Sequence, residues 1–319
     1  MKFTQILGAL AIFSMAFAGP IIRDSDMTNS TAGNSGSKNE SRLRVFVVGT
    51  GFQMEEGKSN TTEWEVSHLT NKTITPLNIT DLYSIAPIIN ETLSSDNWYG
   101  LVLMTFAKNI EELGLFSSVV FNTEKPIVIS TNVYAGITVA QDEDARGRGP
   151  LVIDEDTGLI YPALFSSYSP LANSVIGYAD DDVAWFTEPS RSYLVDNNST
   201  IKSNYSNFTN HHVHNNSPVV PIIYEGEFSD GLMTSVTSSL DGLVVVTSAW
   251  NNINSTIVSN SIPVVYAPAS IAIPYLGDDD VPEGALASGY LTPIQAQTLL
   301  SIAIANKVTK VNDIIDLFP

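Results

Sequence analysis

The residue types and spacing that offer a nucleophile lie early in the chain. Arg44 to Gly57 reads "RVFVVGTGFQMEEG", an apolar run that ends in a turn where Gly49 and Gly51 flank one hydroxyl, Thr50. A glycine-flanked turn after a strand seats a phosphate or presents a nucleophile. Neither phosphate motif is complete. A dinucleotide fingerprint puts a third glycine three residues past the second, and that position is Met54, whose bulk keeps a following helix from packing close. "EEGKS", residues 55–59, has the letters of a P-loop ending but not the strand, loop and helix around them. A nucleophilic reading needs a base. The histidines are His68, His211, His212 and His214 and there is no cysteine, so Ser-His-Asp and Cys-His arrangements have little raw material.

The remaining constellations read as surface features. "HHVH", 211–214, has imidazoles suited to zinc or copper, but it sits in a polar stretch with no carboxylate or thiol beside it to complete a shell. "ADDDV" (179–183) and "GDDDV" (277–281) lack both the alternate ligand spacing and the closing bidentate Glu of a calcium loop. Both read as acidic turns, and neither a metal nor a cofactor is expected. A carboxylate pair of glycosidase type depends on proximity in space, so spacing leaves it open.

The elements that must position Thr50 follow a βα rhythm. "LRVFVVG", "YGLVLMT", "PIVIS" and "PLVID" are short, nearly continuous apolar runs, as a parallel sheet covered on both faces requires. Between them, Thr80 is placed to cap "DLYSIAPIINETL", which Pro87 should end or kink. Asn109 is placed to cap "IEELGLFSSVVFN", with Leu113, Phe116, Val119 and Val120 on one stripe. The segment 189–218 is polar and breaks the rhythm, after which "VVPIIYE", "GLVVVTS" and "IPVVYA" form a second α/β unit. It closes on "LTPIQAQTLLSIAIANK", where Thr292 as N-cap, Pro293 at N1 and Gln295 at N3 spell a capping box.

Bulk properties narrow the setting. Of 319 residues 44% are hydrophobic and 15% charged, enough for a large core, and the net charge of −19 disfavours a nucleic-acid partner. "MKFTQILGALAIFSMAFA" has the positive start, short apolar stretch and small-residue cleavage site of a signal peptide. The end, "NDIIDLFP", carries no hydrophobic tail for a lipid anchor. Secretion without a membrane span is therefore expected. Glycan acceptors of the Asn-X-Ser/Thr type are frequent: Asn29, Asn39, Asn60, Asn71, Asn78, Asn90, Asn197, Asn198, Asn204, Asn207, Asn215 and Asn254. The expected organisation is a signal peptide over 1–18, a disordered glycosylated arm over 19–42, and an N-terminal α/β domain over 43–188. A glycosylation-rich linker or excursion over 189–218 and a C-terminal α/β domain over 219–319 complete it.

"YGLVLMTFAKNIEELGLFSSVVFNTEKPIVIS", "ARGRGPLVI" and "ALASGYLTPIQAQTLLSIAIANK" resemble, in order and spacing, the bacterial-type L-asparaginases. The resemblance implies an α/β fold with a larger N-terminal doubly wound parallel-sheet domain, a smaller C-terminal α/β domain and a tendency to self-associate. Those enzymes use a Thr after the first strand as nucleophile, with a second Thr, an Asp and a Lys to handle the proton. Gly51 stands at the nucleophile position here, with Thr50 one residue away; Ala107 replaces the second Thr, Lys108 the Asp, and Glu143 falls near the Lys. Losing hydroxyl, acid and base together leaves no catalytic residues to assign. A second set of motifs, "NITDLY", "FNTEKPIV", "DDVAWF", "YSNFT" and "VVPIIYEGEFS", is similar to the secreted wall glycoproteins of budding yeasts. That similarity implies a non-enzymatic protein of the cell or spore wall, active in stationary phase or sporulation, with the wall polysaccharide and glycoprotein matrix as partner. The alternatives are an amidohydrolase built on Thr50, or a module that binds a small molecule or glycan in the residual cleft.

Overall fold

The computed structural model describes residues 41–50, 52, 54–59, 62–70, 76–165, 174–189, 193–196, 198–204, 217–226, 235, 237–248, 261–269 and 275–319. The expected signal peptide, "HHVH", Gly51 and eight of the twelve expected acceptors (Asn29, Asn39, Asn60, Asn71, Asn197, Asn207, Asn215 and Asn254) lie outside them. Four apolar runs become the centre of a sheet: β1 (Ser41–Val48), β4 (Gly100–Thr105), β5 (Ile127–Ser130) and β6 (Pro150–Ile153). With β2 (Gly57–Lys58), β3 (Thr62–Thr70), β7 (Leu159–Pro162), β8 (Gly177–Ala179) and β9 (Val183–Trp185) they form one sheet in the order β2-β3-β1-β4-β5-β6-β7-β8-β9. From β3 to β6 the pairing is parallel, and the outer strands on both sides are antiparallel. "EEGKS" thus runs into a hairpin strand and not a P-loop, since Gly57 and Lys58 pair with Trp64 and Glu63. β1 begins two residues before the expected Leu43, because Arg42 pairs with Glu63 and Glu65 on the adjacent strand.

Alternate residues of each central strand face opposite helical layers. Phe46, Val48, Leu101 and Leu103 pack against α1 (Ile79–Ser94) and α2 (Ile110–Val120), while Leu43, Val45, Val102 and Met104 pack against α3 (Val133–Ala140). One helix start differs from expectation. Asn78, not Thr80, caps α1, because Asp81 returns the bond to the Asn78 backbone and closes a capping box. Pro87 does not end that helix: Leu82, Ile85, Ala86, Ile89 and Leu93 are buried on both sides of it, and packing outweighs the one lost hydrogen bond. α2 is buried almost all round rather than along one stripe.

A second sheet, β10 (Ile222–Tyr224), β11 (Leu243–Thr247), β12 (Val264–Pro268) and β13 (Leu286–Ala287), is parallel throughout. Within 189–218, Leu194, Val195 and Ile201 are buried, and a short helix α4 (Thr200–Ser203) carries the last of them. The final long helix, α5 (Pro293–Ala305), starts on the expected capping box and packs against α2. One continuous apolar cluster joins β1, β4, α1 and α2 to β11, β12 and α5, and Ser35–Pro319 is one compact unit. The architecture is the expected α/β one, a larger mixed sheet with a parallel centre and a smaller parallel sheet, with helical layers. Among the described residues no helix is long and apolar enough to cross a membrane. The two acidic runs fall where turns were expected, one in the β8–β9 hairpin and one in a single 3-10 turn over Asp278–Asp280.

Candidate functional site at the ends of β1 and β4

In an open parallel sheet, ligands collect beyond the carboxyl ends of the strands. β1 and β4 are paired with Val48 opposite Thr105, so the turns after them emerge side by side. One turn carries Thr50, half-buried, and the other Phe106, Ala107 and Lys108, of which the last two are exposed. The structure therefore brings Thr50 near Ala107 and Lys108. It does not bring Glu143. α3 leaves the end of β5 and returns along the sheet, so that Gln141 Oε1 accepts a 2.8 Å hydrogen bond from the hydroxyl of Thr62, the first residue of β3. Glu143 follows directly, exposed at the edge where the strands begin, roughly 20 Å from Thr50 at about 3.3 Å per strand residue.

The crevice between the two turns is filled by carbon. Gly49 adopts φ +138, and a methyl group on it would lie 3.0 Å from the Phe106 ring. Only glycine gives both that backbone angle and that space. Phe106 in turn packs on Phe52, with ring centroids 4.6 Å apart. Beneath them the buried Thr105 hydroxyl donates to Val48 O at 3.1 Å and accepts from Asn109 Nδ2 at 3.3 Å. Asn109 occupies the expected cap position of α2, yet its side chain makes no cap bond because it is turned to Thr105. Among the described residues, no carboxylate or imidazole bonds to the Thr50 hydroxyl, and an alcohol without an adjacent base is a weak nucleophile. Sequence reasoning passed over Phe52, Thr105 and Phe106, because nothing in their spacing shows that they meet.

Two carboxyls lie nearby on α2. Burial pushes Glu111 above the ordinary carboxyl range, and the Thr292 hydroxyl, which donates to Glu111 Oε1, pulls it part of the way back. Glu112 is pushed up to about 7, chiefly by burial with a contribution from the Glu111 charge, against a backbone hydrogen bond and Lys108. Its Oε2 has no hydrogen-bond partner among the described residues.

On the α3 side, the same turn borders a trough of about 1000 Å³. Phe52, Met54, Gly57, Trp64, Met104 and Tyr134 give its apolar walls. It lies where Phe52, Met54 and Gly57, with Tyr134 from the start of α3, border this face of β3. Trp64, Val66 and His68 are half-buried or exposed along β3.

The fold and the paired turns define an α/β protein of the L-asparaginase-like class. No family model matches the chain. It is 38% identical to Protein YGP1 of Saccharomyces cerevisiae, over 92% of this chain and 83% of that protein. It is also 37% identical to the sporulation-specific wall maturation protein of the same yeast, over 100% of this chain and 99% of that one. L-asparaginase 2-3 of Saccharomyces cerevisiae is 26% identical over 72% of this chain and 70% of the enzyme. The chain belongs to the asparaginase-like wall glycoprotein family of budding yeasts that the first two relatives represent.

Proposed function

We propose that the protein is secreted, N-glycosylated and catalytically silent, and acts in the maturation or stress response of the cell or spore wall. The observation that carries this reading is the content of the crevice after β1 and β4. An amide hydrolase of this fold needs an activated hydroxyl with an acid and a base around it; here Thr50 is met by Phe106, Ala107 and Lys108, and Glu143 lies at the far edge of the sheet. The near full-length likeness to a protein named for spore-wall maturation supports the setting. A cysteine-free core carrying acidic charge and hydrated glycans would serve as a soluble scaffold in the polysaccharide and glycoprotein matrix.

Of the four described acceptors, Asn78, Asn198 and Asn204 are exposed and Asn90 is half-buried. At Asn78 the capping interaction uses Oδ1, leaving Nδ2 for the sugar, so one residue serves both helix and glycan. The test is fractionation of cells expressing the tagged chain, with and without endoglycosidase. The reading expects a wall-associated form of high apparent mass that falls on deglycosylation to the mass of the processed chain, below the 34.5 kDa of the full sequence. A form retained inside the cell at its bare mass would overturn it.

A further inference from the structure

The trough beside α3 is lined by neither Thr50 nor Ala107 nor Lys108, and its lining is specific enough to name a ligand class. Trp64 and His68 lie four residues apart on one face of β3, so they span about 13 Å of its length. The Trp64 indole is seated against Gly57, where a Cβ would approach it to 2.1 Å, so the absence of a side chain at 57 fixes the ring. Tyr134, in the first turn of α3, meets Trp64 edge to face with centroids 6.4 Å apart and remains 69% exposed. A tyrosine that far into solvent is not part of the core. With the indole it forms an angled pair of aromatic surfaces, an amphipathic arrangement that takes a flat, partly apolar ring and keeps its rim in water.

The polar lining separates the candidates. Glu55 and Glu56 supply acceptors, and Asn132 supplies a donor from Nδ2, since its Oδ1 is committed to the backbone N–H groups of Tyr134 and Ala135. These groups suit hydroxyls. The two carboxylates outnumber the one lysine of the lining, Lys58, and in a chain of net charge −19 they oppose an anionic ligand. A free amino acid is small for a trough of about 1000 Å³ open along a strand. We propose that this trough binds a neutral oligosaccharide, with Trp64 and Tyr134 stacking on pyranose faces and Glu55, Glu56 and Asn132 pairing with hydroxyls. This gives the proposed wall protein a direct contact with polysaccharide, and it depends on that reading only for the choice of sugar as probe.

The experiment is calorimetric titration of the secreted, glycosylated protein with a β-linked glucose hexamer, beside a glucosamine hexamer and L-asparagine. Saturable binding of the glucose hexamer is expected, weakened at least about tenfold by Tyr134→Ala with an unchanged melting temperature, because Tyr134 is exposed. Glu56→Gln, which removes charge while keeping an acceptor, is expected to bind the glucose hexamer within a few-fold of the parent. No saturable binding of the glucose hexamer, equal binding by Tyr134→Ala, or preference for the cationic hexamer or for L-asparagine would each overturn the proposal. Ammonia release from L-asparagine would instead count against catalytic silence and leave the sugar titration to be judged separately.

Discussion

Replacing Glu112 with glutamine is expected to stabilise the protein at neutral pH and to leave it unchanged in acid. Glu112 is 7% exposed in the first turn of α2, with Oε2 unpaired among the described residues. Burial moves its carboxyl from 4.5 to about 7. Between those values the folded protein holds a proton that the unfolded chain has released. Stability contributed at this site is therefore intact below about pH 4.5 and declines as pH rises toward about 7. At 1.36 kcal/mol per pH unit the full displacement corresponds to about 3 kcal/mol. The first turn of a helix favours negative charge and admits some solvent, so a measured cost of about 1–2 kcal/mol is the reasonable magnitude. E112Q, isosteric with the protonated acid, should recover that amount at pH 8 and nothing at pH 4. For a chain of this size the gain corresponds to a melting-temperature rise of roughly 1.5–3 °C at pH 8. Urea unfolding of both proteins at pH 4, 5.5, 7 and 8 measures it. A difference that is constant across pH, or a loss at pH 8, would refute the reasoning, because only a proton-linked cost varies in this way.

Three further outcomes are expected. Gly49→Ala forces a Cβ against Phe106 at a backbone angle of +138 and should cost about 1–3 kcal/mol by urea unfolding. Thr292→Ala removes the α5 cap and the donor to Glu111, and should cost about 1–2 kcal/mol, more at pH 8 than at pH 4 because the carboxylate left behind is buried. Asn78→Asp keeps the cap and deletes the acceptor, so mass spectrometry should show one glycan fewer with little change in stability; Asn78→Ala should lose the same glycan and about 1 kcal/mol besides.

The strands were legible because a sheet covered on both faces demands uninterrupted apolar runs, and "LVVVT" or "GLVLMT" has few other uses. The start of α5 was equally plain, since Thr292, Pro293 and Gln295 are a local code needing nothing from the rest of the fold. Where tertiary packing competes with a local signal, the local signal lost. Pro87 is tolerated because the buried face of α1 continues past it, whereas Asn109 gives up its cap bond to another local partner, Thr105, 4 residues earlier at the end of β4. The candidate site was legible as a set of departures, Ala107 and Lys108 standing where an enzyme's groups belong, while Glu143, expected near them, lies by the other end of the strands. What replaces those groups was not. Phe52 meets Phe106, and Trp64 meets Tyr134, across chain separations that periodicity does not span.

The central claim is that an asparaginase framework is kept here while, among the described residues, no carboxylate or imidazole bonds to the Thr50 hydroxyl. Ammonia release from L-asparagine and L-glutamine by the purified secreted protein tests it most directly, with Thr50→Ala alongside. The account predicts that both proteins stay at the buffer rate. Turnover by the parent that disappears in Thr50→Ala would contradict it.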